Sequence, residues 1–500
     1  MNDSFVEKLK GNAIFQLSLS SKELFHSNFL AWLAEDENTR NIFNQIMRNW
    51  LNDPTWNFDK NQMMIRREYK NFDFCICERI PQKQEEKNDE EDDDSSEKDK
   101  AGSIIFVLEN KFKSIPYEEQ LKRYHKKILD INGEFAKSHT REELKKKLTK
   151  EIVKNNQEII RKYFSKTKYV LLNLATGLLA EQTKKDNTEA SSYIETTVNS
   201  DLIYDSEVVN AKWHIVTYAD YAACLKDAIQ NDENWKDEKG KDVQNKKFYT
   251  ELINKYCEFI QIFSTHINAG LNAIKFDDSS NWSILCNDDN GFQELRCNDI
   301  WQKLVMHKCA QHLISKIGKL KFDIDFNSSD KHIWEEEKKG NKDKLYIGIG
   351  FYHGEAFLEY KYRLSFQSDK PDDEKEPIFC LQQQGNNTLS VGVVVRGLKI
   401  PKKKNKKEQG ESENWNQEVE NKVGKYYPTN IEYQGKKYYS YQGNYCSFFY
   451  YHLAEEDVKN STCKDTEIKE YSICKTLDKM VELMNIAIKG ASNSSSNLQP

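Results

Sequence analysis

Five hundred residues are more than one ordinary hydrophobic core serves, so the chain is expected to form two domains. Hydrophobic residues at 38% and aromatics at 12% supply ample apolar surface, while charged residues at 31% mark a polar exterior, and no apolar run approaches the roughly 18 residues of a membrane span. The net charge of −6 is set by residues 85–99, EEKNDEEDDDSSEKD, whose ten acids and two lysines carry −8; taking that from −6 leaves +2 on the rest, so bulk charge does not decide for or against a polyanionic partner.

The N-terminus has no basic stretch leading into an apolar segment, which points to a cytoplasmic chain without a membrane partner. Eleven cysteines without repeated CxxC spacing are expected to be reduced thiols. KELFHSNFLAWLA (22–34) places Leu24, Phe25, Phe29, Leu30, Trp32 and Leu33 at helical spacing. MMIRREYKNFDFCICERI (63–80) reads as a strand pair or one long bent strand, with Phe72, Phe74 and Ile76 on one face and Asp73, Cys75 and Cys77 on the other. Residues 82–101 then form an acidic insertion, expected to be a solvated, disordered loop. IIFVLENK within 103–111 is the expected central strand. A helix over 117–131 opens on Pro116 with acids in its first turn, and a basic helix is expected over 141–163.

KYVLLNLA (168–175) and WHIVTY (213–218) read as further buried strands, and 219–229 as a helix following directly. Residues 230–247 read as an exposed polar loop before a long helix, 248–268. Strands alternating with helices imply an α/β layer over a parallel or mixed sheet. Beyond about residue 270 the pattern becomes a helix (299–318) followed by short strand-like runs, KLYIGIGFYH, AFLEYKYRLSF, PIFCLQQQ, TLSVGVVVRGL and KYYSYQGNYCSFFYYHL, as in an α+β domain with an antiparallel sheet. The expected division is 1–268, an accessory α+β domain over 269–490 for substrate or partner recognition, and a disordered tail, 491–500.

The end of the central strand carries the chemistry. Residues two apart on a strand share a face, so Glu109 and Lys111 project together while Asn110 turns away and offers its backbone carbonyl to their side. Asp73, on a neighbouring strand, would complete a set of two carboxylates and one lysine. Two carboxylates, a carbonyl and waters suit Mg2+ (or Mn2+), with Asp73, Glu109 and Asn110 as the ligands. A metal there can polarise a phosphate and lower the pKa of a bound water, and Lys111 can orient that water or stabilise developing charge. The implied chemistry is phosphodiester hydrolysis with Asp73, Glu109 and Lys111 as the catalytic set.

Asp73 followed by Glu109-Asn110-Lys111 resembles the motif of the PD-(D/E)XK nuclease superfamily. Glu68, five residues before Asp73, and Gln120 and Tyr124 in a Q-x-x-x-Y pattern on the next helix extend the resemblance as auxiliary residues, as do ELFHSNFLAWL (23–33), YVLLNLATG and WHIVTYADY, over roughly residues 20–265. Phe72 stands where the motif has proline, and the acidic insertion separates the two motif strands; neither removes a ligand. The resemblance implies a restriction-endonuclease-like mixed sheet flanked by helices and a bacterial or phage nuclease acting on nucleic acid, DNA foremost, in antiviral defence, with a homo-oligomer or a defence-system protein as further partners. A non-catalytic nucleic-acid or protein-binding module on the same fold, or a hydrolase of another phosphodiester, are the alternatives.

Other candidates are read as structural. Glu23 and His26 are expected at the surface of the first helix. His307 and His312 are five residues apart, about 140° around a helix, and do not share one ion, so His307, Cys309 and His312 are expected in core or surface roles. Cys75 and Cys77 read as small buried thiols, and the lysines of 399–410 as a solvated loop.

Overall fold

The structure, a computed structural model, describes residues 3–19, 23–80, 101–112, 118–144, 167–175, 193–199, 208–236, 240–277, 279–285, 291–317, 323–325, 329–330, 333–334, 344–363, 377–386, 389–396, 398, 412–428, 430–442, 446–453 and 472–496. The acidic insertion up to residue 100, the basic helix beyond residue 144, the lysine run 399–410 and residues 497–500 lie outside the described residues. The chain divides into two compact units, Met1–Ala269 and Gly270–Pro500.

In the first unit the elements are α1 (Asp3–Lys10), α2 (Ala13–Ser18), α3 (Glu23–Glu35), α4 (Arg40–Leu51), β1 (Met63–Tyr69), β2 (Phe72–Arg79), β3 (Ala101–Lys111), α5 (Glu118–Leu144), β4 (Lys168–Asn173), β5 (Tyr193–Asn199), β6 (Val208–Thr217), α6 (Tyr218–Gln230) and α7 (Lys246–Ala273). The strands form one mixed sheet in the order β1-β2-β3-β4-β6-β5. β3 runs antiparallel to β2 and parallel to β4, and β4 parallel to β6. Ile104, Phe106, Val107 and Leu108 are buried because helices cover both faces of β3: α5 packs on one side, and α3 reaches β1, β2 and β3 on the other.

Residues 63–80 form a hairpin rather than one bent strand. Tyr69 pairs with Phe72 across a two-residue turn in which Lys70 (φ 55°) and Asn71 (φ 67°) both take the left-handed conformation that suits the twist of the flanking strands. The helix expected to end at 131 continues to Leu144, taking in the first residues assigned to a second helix. The strand expected at 213–218 is longer, Val208–Thr217, and Tyr218 opens α6 behind a reciprocal cap between Thr217 and Asp220. The segment 230–247 is not a simple exposed loop: Asn234 and Trp235 are buried, with the Trp235 indole donating to the Ile229 carbonyl at 2.9 Å. β5 is a strand that the sequence reading passed over, as is the helix α4, whose Ile42, Phe43, Ile46, Met47 and Trp50 are buried.

The second unit has a seven-stranded sheet in the order β12-β13-β11-β10-β9-β8-β7, from β7 (Asp323–Asp325), β8 (Lys344–Tyr352), β9 (Glu355–Arg363), β10 (Ile378–Gln384), β11 (Ser390–Arg396), β12 (Tyr438–Gln442) and β13 (Cys446–His452). It is antiparallel except for the β7–β8 pair. Helix α8 (Asn298–Ile317) packs on β8 and β9, α9 (Ser412–Val423) on β12, and α10 (Ile473–Ser496) on α8. α10 continues through residue 496, so the start of the expected irregular tail is helical.

Candidate active site

Alternation along β3 separates two jobs. Glu109 and Lys111 share the face covered by α5, and their side chains form an ion pair of 2.6 Å, Lys111 Nζ to Glu109 Oε1. Both side chains are withdrawn from solvent, at 2% and 12% exposure, so the pair is not the weak, screened kind found on surfaces. Asn110 faces the other way and is fully committed. Its Nδ2 donates to the Glu23 carbonyl at 2.8 Å, its Oδ1 accepts from the Tyr218 hydroxyl at 2.6 Å, and its backbone N–H donates to Asp73 Oδ2 at 2.7 Å. The middle residue of the triplet thus fixes the strand end from behind while its neighbours face forward.

Asp73 comes from β2. The register Cys75↔Val107 and Phe74↔Leu108, carried one step further, sets it level with Glu109 on the same face. Glu68 lies opposite Asp73 across the hairpin, between the pairs Arg67↔Phe74 and Tyr69↔Phe72, and is exposed. Its φ of 50° is unusual for a strand residue with a Cβ, a local strain of roughly 1–2 kcal/mol beside the charged cluster. From α5, Gln120 Nε2 donates to the Tyr124 hydroxyl at 3.1 Å and approaches Glu109 Oε1 at 3.4 Å, one helical turn placing the two side chains on the same stripe. The Tyr124 ring meets Phe72 edge-on at 5.5 Å. Phe72 therefore packs against Tyr124 from the position next to Asp73.

Burial dominates the electrostatics. It pushes Glu109 up to about 7, with Lys111 pulling the other way and Asp73 adding to the rise. Burial also raises Asp73, against the Asn110 N–H and the Lys111 charge, which both favour its ionised form. For Lys111 burial opposes the ammonium, but Glu109 and Asp73 outweigh it and the lysine stays protonated. Burial and the Glu109 charge raise Tyr124, keeping it a neutral hydroxyl. Buried Glu109 and half-buried Asp73 face a single half-buried ammonium, so with both acids ionised the cluster carries an excess of negative charge that favours a cation.

The donor set fits a hard divalent cation. Glu109 Oε2 is buried and has no hydrogen-bond partner, and the other oxygen of its carboxylate is the one taken by Lys111. A buried carboxylate oxygen left without a donor is costly unless an ion completes it. No three His, Cys, Asp or Glu side chains converge on a metal site among the described residues, so an ion here would draw on Asp73, Glu109, the Asn110 carbonyl and water. That mixture of few carboxylates and retained water suits Mg2+.

His26 is not at the surface. It is 1% exposed, with Nδ1 at 2.8 Å from the Tyr256 hydroxyl and its ring among Phe25, Phe112, Tyr218, Tyr256 and Phe259. Glu23 is half-buried at the start of α3, where its carbonyl anchors Asn110 and its charge acts on Asp73. Cys309 lies in the core and His312 stacks on Phe276 at 3.9 Å. Cys75 and Cys77 are buried with their sulfurs 3.9 Å apart. Two residues of the neighbourhood were passed over in the sequence: Tyr218, which anchors Asn110, and Asn173 at the end of β4, fully buried in register with Lys111. For Asn173 there was a signal, since YVLLN ends in a polar residue as IIFVLEN does.

A mixed sheet flanked by helices, with an acid near the start of one strand and Glu-Asn-Lys at the end of its antiparallel neighbour, is a restriction-endonuclease-like fold. A family model described as the PD-(D/E)XK nuclease superfamily matches residues 12–258, and the chain belongs to that superfamily. No curated protein and no solved structure matches the chain.

Proposed function

We propose that the chain is a divalent-metal-dependent nuclease that hydrolyses phosphodiester bonds of nucleic acid, DNA foremost, with Asp73, Glu109 and Lys111 as its catalytic set. The observation that carries this reading is the buried Glu109 carboxylate, one oxygen on Lys111 and the other without a partner, beside Asp73. Asp73, Glu109 and the Asn110 carbonyl would hold Mg2+ (or Mn2+). When bound, such an ion supplies Lewis acidity toward a phosphate and a more acidic water. Lys111, kept protonated by its acidic neighbours, orients the attacking water and offers positive charge to the developing phosphorane. Gln120 and Tyr124 supply an amide and a hydroxyl at the rim, where they position phosphate or water. Glu68 sits within electrostatic reach of Asp73 as an auxiliary acid. A cytoplasmic setting and a part in antiviral defence, alone or with a partner protein, are the biological context proposed from the family.

The test is direct. Purified protein is incubated with circular and linear DNA and RNA, with Mg2+ or with EDTA, alongside Asp73→Asn, Glu109→Gln and Lys111→Ala. Cleavage should require the metal. Each carboxylate variant should lose cleavage far more than substrate binding, excess Mn2+ should partly rescue Asp73→Asn, and Lys111→Ala should stay inactive at any metal concentration. Cleavage by all three variants at the wild-type rate would overturn the assignment.

A further inference from the structure

β4 lies parallel to β3 in the register Glu109↔Leu171, Lys111↔Asn173, so Tyr169, Leu171 and Asn173 share the face that carries Glu109 and Lys111. Asn173 is completely buried. Its Nδ2 donates to the Ala175 carbonyl at 2.8 Å, which settles which way the amide points. Its Oδ1 is left buried with no hydrogen-bond partner. Buried amide oxygens are nearly always satisfied, and one that is not calls for an explanation at its own position. On the β6 side the residue in register is Thr217, whose hydroxyl is already given to Asp220 Oδ2 at 2.6 Å. On the β3 side the residue in register is Lys111, an ammonium with three N–H groups, one of which goes to Glu109 Oε1.

We propose that Asn173 is a positioning residue for Lys111. The bond is open in this structure, where Nζ turns to Glu109 alone; when metal and substrate engage the site, the Asn173 Oδ1 accepts a second N–H from Nζ, so that the ammonium is held between Glu109 and Asn173 with its remaining N–H toward the reacting water and phosphate. A lysine on a flexible four-carbon stem gains most from such a second tether, because a single ion pair leaves the head free to swing about one oxygen. Parallel strands about 4.8 Å apart set the two side chains next to each other, so rotation of the lysine stem, with no movement of the sheet, closes the contact. The inference rests on the nuclease reading of the site and adds to it a residue two strands away from Asp73.

The experiment compares the wild type with Asn173→Ala, Asn173→Val, Asn173→Asp and Lys111→Ala, measuring kcat and KM for DNA cleavage at saturating Mg2+ and the melting temperature of each. Alanine and valine remove the acceptor, and valine, at home in a strand, keeps the comparison open should the smaller residue not fold. Both should lower kcat by about 10- to 100-fold with KM within about twofold of wild type. Asn173→Asp retains an acceptor for the ammonium but loses the donor to Ala175. It should keep kcat within about fivefold of wild type even though it melts no higher than Asn173→Ala. A merely structural amide predicts the reverse, because aspartate sets an oxygen against the Ala175 carbonyl and would fall at least as far as alanine. If Lys111→Ala is slow while Asn173→Ala and Asn173→Val match wild type, or if Asn173→Asp is no faster than they are, the role of Asn173 is refuted and the nuclease reading stands. If Lys111→Ala cleaves like wild type, the nuclease reading falls and takes this inference with it.

Discussion

Acidification should expose the cost of keeping His26 neutral. Burial lowers its pKa from 6.5 to about 3, and the groups facing its ring are the aromatic side chains of α3, β3's end, α6 and α7, with Tyr218 and Tyr256 both pushed well above the range where a phenol ionises. A histidine whose folded pKa lies below its unfolded pKa binds fewer protons when folded, so it leaves stability untouched above pH 6.5 and withdraws it progressively below. At about 1.36 kcal/mol per pH unit, lowering pH from 7.5 to 5 removes about 2 kcal/mol through this residue alone. Glu109 acts in the opposite sense, because a carboxyl raised from 4.5 to about 7 binds its proton earlier when folded and gains stability on acidification. The wild-type curve sums the two, so the informative quantity is a difference. His26→Phe suits a site already walled by Phe25, Phe112 and Phe259, and forfeits the 2.8 Å bond to Tyr256, about 1 kcal/mol at neutral pH. Urea unfolding of both proteins in EDTA at pH 5, 6, 7 and 8 gives the comparison. The gap in favour of wild type at pH 8 should close and reverse by pH 5. If it is constant across that range, His26 does not titrate as its surroundings dictate and the argument from burial fails.

Other expectations follow from the same contacts. Asn110→Ala strands the Tyr218 hydroxyl and the Glu23 carbonyl in the interior and should destabilise by about 2–4 kcal/mol in urea unfolding; a loss under about 1 kcal/mol would mean that the strand end is not held from behind. Mg2+ should raise the melting temperature of wild type and leave Glu109→Gln unmoved, with a stabilisation approaching about 2.7 kcal/mol at a hundredfold excess over Kd. Tyr124→Phe removes the hydroxyl that receives Gln120 and should slow cleavage several-fold without altering the metal response, an unchanged rate being the adverse result. Glu68→Gly relieves the left-handed backbone and should stabilise by about 0.5–1 kcal/mol while lowering activity; a destabilised variant would show that the conformation at Glu68 carries no strain.

What the sequence disclosed was whatever repeats at short range. The apolar run Ile104–Leu108 announces a strand buried on both faces, and the i, i+2 rule puts Glu109 and Lys111 together before any fold is known. Gln120 and Tyr124 were equally readable from the i, i+4 rule. The residues that hold the cluster in place were not, because their partners are remote: Tyr218 stands 108 positions from Asn110, and Tyr256 stands 230 positions from His26. Periodicity reports that a side chain is buried, not what it touches. His26 was misplaced for that reason, since a polar residue at the margin of an amphipathic stripe reads as surface until α7 is packed against it. Trp235 shows the same limit from the other side, one aromatic anchoring a stretch whose composition is otherwise that of solvent-exposed chain. β5, whose Ile194, Thr196 and Val198 alternate with polar residues, takes the edge of the sheet, and an edge strand needs less apolar character than a central one.

The β2–β3 pair keeps strict register at one end and not at the other. At the site end, the Asp73–Asn110 bond and the pairs Phe74↔Leu108 and Cys75↔Val107 lock the strands in step. At the opposite end the register slips twice, between Ile76 and Cys77 and again between Cys77 and Arg79, before the chain enters the acidic insertion. Because a one-residue slip reverses which face a side chain occupies, the same change in length would be ruinous beside Glu109 and harmless beyond the slips. The slips thus show that this pairing accommodates a change of length on the far side of the site, so lengthening or recomposing the segment after Arg79 should leave the spacing of the three charged residues where it was. An insertion of about twenty residues, ten of them acidic, sits at that place between the two halves of the motif, and it is the point at which a reporter or a tether would least disturb the site.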